Sequence, residues 1–328
     1  MKLSDIGEFG LIERLSGILA PPAAPDLVLG IGDDAAVWRF AEEFLIATTD
    51  TMVDGVHFES GRTPWTTVGW KALATNVSDI AAMGGIPLFA LVTLTLPSET
   101  EIDAVELIYV GLADCGREYG VTIVGGDTVR SPTLSITVAL LGKAESRDGR
   151  PAILCRDSAR PGDLIVVTGT LGDSAGGLRR LSMSAASDDP LVQRHLSPHP
   201  PLAVGRAAAE AGIECGIDVS DGLLQDIGHI CERSRTGAVI RAADVPISDS
   251  LRAAYPDDAL ALACTGGEDY ELVLVGDRDL LDAVASMIGI VPLTIIGEIV
   301  DDPERRVRVL DEIGEEVDFA RHGWDAFR

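Results

Sequence analysis

The chain has 328 residues, 46% of them hydrophobic, which is enough for two packed domains of ordinary size. A formal net charge of −26, with lysine only at positions 2, 71 and 143, excludes a basic nucleic-acid-binding surface. Residues 88 to 96, the longest clearly apolar stretch, cannot span a bilayer, and without a signal peptide or a C-x-x-C pair a soluble, cytoplasmic protein with reduced thiols is expected.

In chain order, residues 27–31, 36–40 and 44–48 read as short strands separated by Gly-Asp and acidic turns. Residues 67–83 read as a helix that Pro64 precedes and Gly84-Gly85 ends. A strand follows over 88–96, then a helix over 99–119 with acids in its first turn, then strands over 121–124 and 134–141. The charged stretch 143–160 reads as a domain boundary, giving an N-terminal domain over 1–143 and a C-terminal domain over 144–328. Beyond it, strands are expected at 164–168, 238–241, 270–275 and 293–296, and helices at 201–211 and 221–234. The first strands lie too close together for crossover helices, so the fold class is α+β in two domains rather than a doubly wound sheet.

Acids recur at strand ends beside glycine and small hydroxyl residues: Gly30-Ile31-Gly32-Asp33-Asp34, Thr48-Thr49-Asp50-Thr51, Val77-Ser78-Asp79, Gly125-Gly126-Asp127-Thr128 and Asp218-Val219-Ser220-Asp221-Gly222. Each lies in or after an apolar segment, where an unpaired carboxylate is costly. Any one of them serves equally well as a turn or helix-cap residue, Asp221 above all. Together, in a chain with so few lysines, they call for hard divalent cations bound through oxygen. There is no G-x-x-x-x-G-K-[ST] loop and no H-R-D or D-F-G, which excludes P-loop and protein-kinase chemistry, and the scarcity of histidine disfavours zinc. Mg²⁺ bridging carboxylates to a polyphosphate, and hence phosphoryl transfer, fits the pattern.

Several segments resemble the thiamine-monophosphate kinase family, within a superfamily that includes aminoimidazole ribonucleotide synthetase. They are Gly-Ile-Gly-Asp-Asp-Ala-Ala (30–36), Thr-Thr-Asp-Thr-Met-Val-Asp-Gly-Val-His-Phe (48–58), Lys-Ala-Leu-Ala-Thr-Asn-Val-Ser-Asp-Ile-Ala-Ala-Met-Gly (71–84), Gly-Gly-Asp-Thr (125–128), Asp-Val-Ser-Asp-Gly-Leu (218–223) and Gly-Gly-Glu-Asp-Tyr-Glu-Leu (266–272). The resemblance implies transfer of the ATP γ-phosphoryl group to thiamine monophosphate, several Mg²⁺ ions, and a homodimer formed through the N-terminal sheet. By match of motif, Asp34, Thr48, Thr49, Asp50, Asp79, Asp127, Asp218 and Asp221 would serve the metals. Gly126, Asp127, Arg156, Ser220 and Tyr109 would meet ATP, and His57, Glu268 and Trp324 would meet thiamine monophosphate.

The residues also admit plainer readings. His57 stands as a turn histidine, Lys71 as a helix-surface lysine, Arg156 as a loop arginine, Trp324 as a core anchor and Glu268 as a residue before a strand. His195, His199, His229 and His322 read as structural or surface groups. The competing functions are a related ATP-dependent synthetase with another acceptor and a non-catalytic acidic protein that binds divalent metal.

Overall fold

The computed structural model describes residues 3–19, 25–183, 186, 188–289, 291–321 and 323–324; His322 lies outside them. Helix α1 (Leu3–Leu19) comes first, with Gly7 at φ +69 inside it. The first sheet is built from β1 (Leu27–Leu29), β2 (Ala36–Phe40), β3 (Glu43–Val53), β4 (Ile86–Leu96), β5 (Thr122–Arg130) and β6 (Ser135–Ala144), in the order β1-β2-β3-β6-β4-β5. Only β4 and β5 run parallel, and α3 (Ile102–Tyr119) makes the crossover between them. Along β3 the side chains alternate: Phe44, Ile46 and Met52 enter the core, while Thr49 and Thr51 face outward.

Helix α2 (Trp65–Ala82) lies almost wholly buried between this sheet, α3 and the C-terminal half. Glycines allow its backbone to touch its neighbours. A Cβ on Gly111 of α3 would stand 1.8 Å from the Thr66 carbonyl oxygen, and one on Gly69 would stand 1.9 Å from that of Ile108.

After a small hairpin, β7 (Ser146–Arg147) with β8 (Arg150–Pro151), a second six-stranded sheet begins. It comprises β9 (Leu164–Thr168), β10 (Cys215–Asp218), β11 (Gly237–Arg241), β12 (Leu272–Gly276), β13 (Leu293–Val300) and β14 (Val307–Leu310), in the order β10-β12-β9-β13-β11-β14. Seven helices accompany it among the described residues: α4 (Asp173–Ser182), α5 (Pro190–Leu196), α6 (Leu202–Ala211), α7 (Leu223–Ser234), α8 (Asp249–Ala254), α9 (Ala259–Thr265) and α10 (Arg278–Ile288). Each sheet has its own apolar core. A third cluster joins Ala81 and Ala82 at the end of α2 to Leu154, Val204, Ala208 and Leu272, so the two halves are cemented around that helix.

The α+β expectation holds. Strand β3 continues five residues past the expected end at Thr48, and α7 begins at Leu223 rather than at Asp221. Helices α1, α4, α5, α8, α9 and α10 are additions that the sequence reading did not contain. Among the described residues no helix is long and apolar enough to cross a membrane.

Candidate active site

The site is organised by one stripe of α2. Lys71, Thr75, Ser78 and Asp79 fall at i, i+4, i+7 and i+8, which places them on a common face. Each meets a polar group from another element. Thr75 faces Asp50 on β3, Ser78 donates from Oγ to Asp218 Oδ2 at 2.6 Å, and Asp79 accepts a short hydrogen bond from the Thr48 hydroxyl. Lys71 Nζ lies 2.9 Å from Glu268 Oε1. Lys71 is therefore not a helix-surface lysine: it is 3% exposed, and its charge is committed to an ion pair between the two halves.

Carboxylates from both halves converge beside this stripe. Oxygen atoms of Asp34, Asp79 and Asp218 lie within 4.8 Å of one another, and Asp50 adds its negative charge to Asp79 and Asp218. Asp34 comes from the loop between β1 and β2, where Arg156 Nη2 meets its Oδ1 at 2.5 Å and the Arg156 amide donates to Asp33 Oδ2 at 3.1 Å. One arginine does not balance the group. Burial, reinforced by Asp34, pushes Asp218 up to about 8; burial, reinforced by Asp50 and Asp218, pushes Asp79 well above the usual carboxylate range. Asp34 Oδ2 is buried with no hydrogen-bond partner among the described residues. A cluster of hard oxygen donors that lacks positive charge, with one oxygen unsatisfied, fits a divalent cation such as Mg²⁺.

Asp221 does not cap α7; its ligand atoms group with those of Asp226 and His229, within 4.8 Å of one another, and not with the Asp34, Asp79 and Asp218 set. The N-cap of that helix is Gly222, and the Asp226 carboxylate accepts from the Asp221 and Gly222 amides at 3.2 and 3.0 Å. Asp226 thus takes the capping role that was the alternative reading of Asp221. Trp324 is held here too: its amide donates to the Asp221 carbonyl at 3.0 Å, and Gln225 Nε2 donates to its carbonyl at 2.6 Å. The Trp324 side chain is 55% exposed, so it is no core anchor.

At the Lys71 end, His57 lies in the neighbourhood of Glu268. The Val53 amide donates to His57 Nδ1 at 3.0 Å, so the neutral ring carries its proton on Nε2. Glu268 sits at φ +67 and Tyr270 at φ +52, a left-handed backbone at two non-glycine residues of one short segment. That segment is tied down by hydrogen bonds from the Glu268 amide to the Ser220 carbonyl (2.7 Å) and from the Tyr270 amide to the Val219 carbonyl (2.9 Å). His195 is 4% exposed, with Nδ1 3.0 Å from Ser174 Oγ and 3.4 Å from Glu268 Oε2; it belongs to the site region rather than to the surface.

Four other expected residues are not brought to this group. Thr49 points to the other face of β3 and donates to the Val138 carbonyl at 2.9 Å. Asp127 is exposed on β5, in the register row Thr51, Thr137, Thr93, Asp127, three strands from β3 or about 14 Å. Gly126 (φ +156) serves close strand approach, since a Cβ there would stand 1.7 Å from the Val92 carbonyl oxygen. Tyr109 is exposed on α3. Conversely, Thr75, Ser78, His195 and Asp226 carry contacts that the sequence reading did not assign. The i, i+4, i+7 spacing from Lys71 was the available signal for Thr75 and Ser78.

Comparison with known proteins defines the class. Residues 32–144 match the family model described as AIR synthase related protein, N-terminal domain, and residues 160–310 match its C-terminal counterpart, so the chain is a two-domain AIR synthase related protein. The thiamine-monophosphate kinase of Escherichia coli O157:H7 is 41% identical over 331 residues, with 98% of each chain covered. That of Aquifex aeolicus is 36% identical, covering 85% of this chain and 89% of its own. A solved structure described as AaThiL complexed with AMPPCP and TMP superposes with a TM-score of 0.87 at 32% identity, covering 99% of both chains. The chain belongs to the thiamine-monophosphate kinase family.

Proposed function

We infer that this protein transfers the γ-phosphoryl group of ATP to thiamine monophosphate, giving thiamine diphosphate and ADP. Membership of the family makes it an ATP-dependent phosphotransferase with a phosphate-bearing acceptor, and the AaThiL structure carries AMPPCP and TMP. The observation that supports the reading most directly is the under-neutralised carboxylate group of Asp34, Asp79 and Asp218, joined by Asp50, with the Asp34 oxygen unsatisfied.

Asp34, Thr48, Asp50, Asp79 and Asp218, and Asp221 from its separate group, would hold Mg²⁺, which supplies charge neutralisation along the polyphosphate and on the transferred group. The acceptor needs no general base: a phosphate monoester with a second pKa near about 6 is already a dianion at neutral pH. The chain's task is to align two polyanions. Arg156, anchored on Asp34, offers its guanidinium to the ATP phosphates, and Ser220 borders the same space. His57 donates from Nε2 to the acceptor phosphate. Glu268 and the exposed Trp324 ring receive the organic part of thiamine, the ring by stacking on the thiazolium cation.

We assign residues 1–143 to ATP and Mg²⁺ binding and to dimerisation, and 144–328 to closing the site. The outer face of the first sheet exposes Phe89, Leu91 and Leu141, a contiguous apolar surface suited to a second copy of the chain. In that homodimer the outward residues Thr49 and Asp127 meet the partner copy, and Gly126 and Tyr109 border the nucleotide on the same edge. Sedimentation analysis should give twice the chain mass; a monomer at micromolar concentration would remove the dimer.

The direct test of function is incubation with Mg²⁺, ATP and thiamine monophosphate. Equal amounts of ADP and thiamine diphosphate are expected. ADP accompanied only by inorganic phosphate would sink the assignment.

A further inference from the structure

Resting on the acceptor assignment above, we propose that Lys71 is a positioning residue for thiamine monophosphate: its ammonium, reaching from one half of the molecule to the other, holds the Glu268 carboxylate in the orientation that receives the substrate. A buried ammonium is expensive unless it is paired. Among the described residues, the partner of Lys71 Nζ is Glu268 Oε1 at 2.9 Å, with side-chain exposures of 4% and 26%. The lysine is thus sealed inside while the carboxylate keeps an open side.

The backbone supports the same assignment. Glu268 lies in the left-handed region, and so does Tyr270 two residues on, a conformation that persists only when its surroundings over-determine it. The amide hydrogen bonds to Ser220 and Val219 fix the segment's course, and Lys71 fixes the side chain. The second carboxylate oxygen faces His195 Nδ1 at 3.4 Å. Burial, together with Lys71, pushes His195 down to about 3, so at neutral pH this imidazole orients Glu268 without adding a charge. Burial opposes ionisation of Glu268 itself, yet the charge and hydrogen bond of Lys71 keep it below the ordinary range. Glu268 is therefore an anion whose geometry is set before any ligand arrives.

Helix α2 gives the arrangement a ruler. Lys71 precedes Asp79 by eight residues on the same face, a rise of about 12 Å along the axis. One rigid element therefore carries both Lys71, which fixes Glu268, and Asp79 of the carboxylate group. A displaced Glu268 would weaken acceptor binding while leaving the nucleotide end unchanged.

The test compares K71M, E268Q and the double variant K71M/E268Q in steady-state kinetics and thermal melting. K71M should raise KM for thiamine monophosphate at least about tenfold, as expected on losing an interaction that orients a charged hydrogen-bonding group, with KM for ATP within about twofold of wild type. Since Lys71 acts through Glu268, the double variant should match E268Q alone in KM and recover melting temperature lost in K71M. A parallel rise in KM for ATP, a fall in kcat at unchanged KM, or penalties that multiply in the double variant would each overturn the proposal. Should K71M not fold, E268Q and the double variant decide: E268Q leaves the Lys71 ammonium unpaired and should melt lower than the double variant, while their KM values for thiamine monophosphate should agree; KM values that differ would overturn the proposal. A wild-type protein that forms no thiamine diphosphate would defeat the acceptor assignment instead.

Discussion

Asp218 closes β10 with a carboxylate that, among the described residues, Ser78 supports by a side-chain hydrogen bond, amid Asp34, Asp50 and Asp79. In D218N the amide oxygen still accepts from Ser78, and a carboxyl that burial and Asp34 already hold largely protonated without metal is replaced by a neutral group, so the metal-free variant should melt no lower than wild type. Turnover should fall by at least about a hundredfold, the scale of losing one charge-stabilising group, and D50N should behave alike. Mg²⁺ should raise the wild-type melting point, since saturation to 100 Kd adds about 2.7 kcal/mol, and should raise that of D218N much less. Full activity in both variants would remove the carboxylate group from the mechanism. These aspartates were legible in the sequence only as a set: singly each suits a turn or helix cap, but several of them in or after apolar segments of a chain with few lysines call for a cation. Lys71 and His195 were not, because their burial depends on contacts with Glu268 and Ser174, far away along the chain. A lysine's position on a helix face says nothing of what packs against that face.

At the scale of elements, α2 shows what periodicity carries and what it omits. Pro64 and Gly84-Gly85 bracket the helix in the sequence, and the structure ends it accordingly. Thirteen of its 18 residues are nonetheless buried, polar ones included, because neighbours cover several of its faces. That enclosure is visible only in three dimensions, through Gly69 and Gly111 against α3 and through Gly205 of α6, where a Cβ would stand 1.9 Å from the Ala81 carbonyl oxygen. Strand β3 teaches the converse. Thr48, Thr49 and Asp50 form one motif, yet the two-residue period of a strand separates Thr49 from its neighbours. The short helices α4, α5, α8 and α9 escaped the sequence reading because 6 to 10 residues carry too little periodicity to separate them from loops.

At the scale of the whole molecule, buried polar contacts accompany the apolar cores of the two halves. The α4–α5 region is held by the Arg194–Glu271 pair at 2.6 Å, by Asp269 accepting from the Gly172 and Ser174 amides, and by His195 among Lys71, Glu268 and Ser174. His195 makes global stability sensitive to acid. Burial first, and Lys71 second, lower its pKa to about 3 against the attraction of Glu268, whereas an unfolded chain titrates near about 6.5. Between these values the unfolded state binds the proton and the folded state does not, so stability rises with pH and is lost as pH falls through that window. The slope from this group is at most about 1.4 kcal/mol per pH unit. H195N preserves a polar atom near the Nδ1 position and removes the titration. In urea unfolding at pH 7.0, 5.5 and 4.5, the stability of wild type minus that of H195N should therefore decline steadily toward acid. A difference that stays constant across the series would mean that the imidazole gains its proton in the folded protein as readily as in the unfolded chain, and that the polar layer between the halves is open to water.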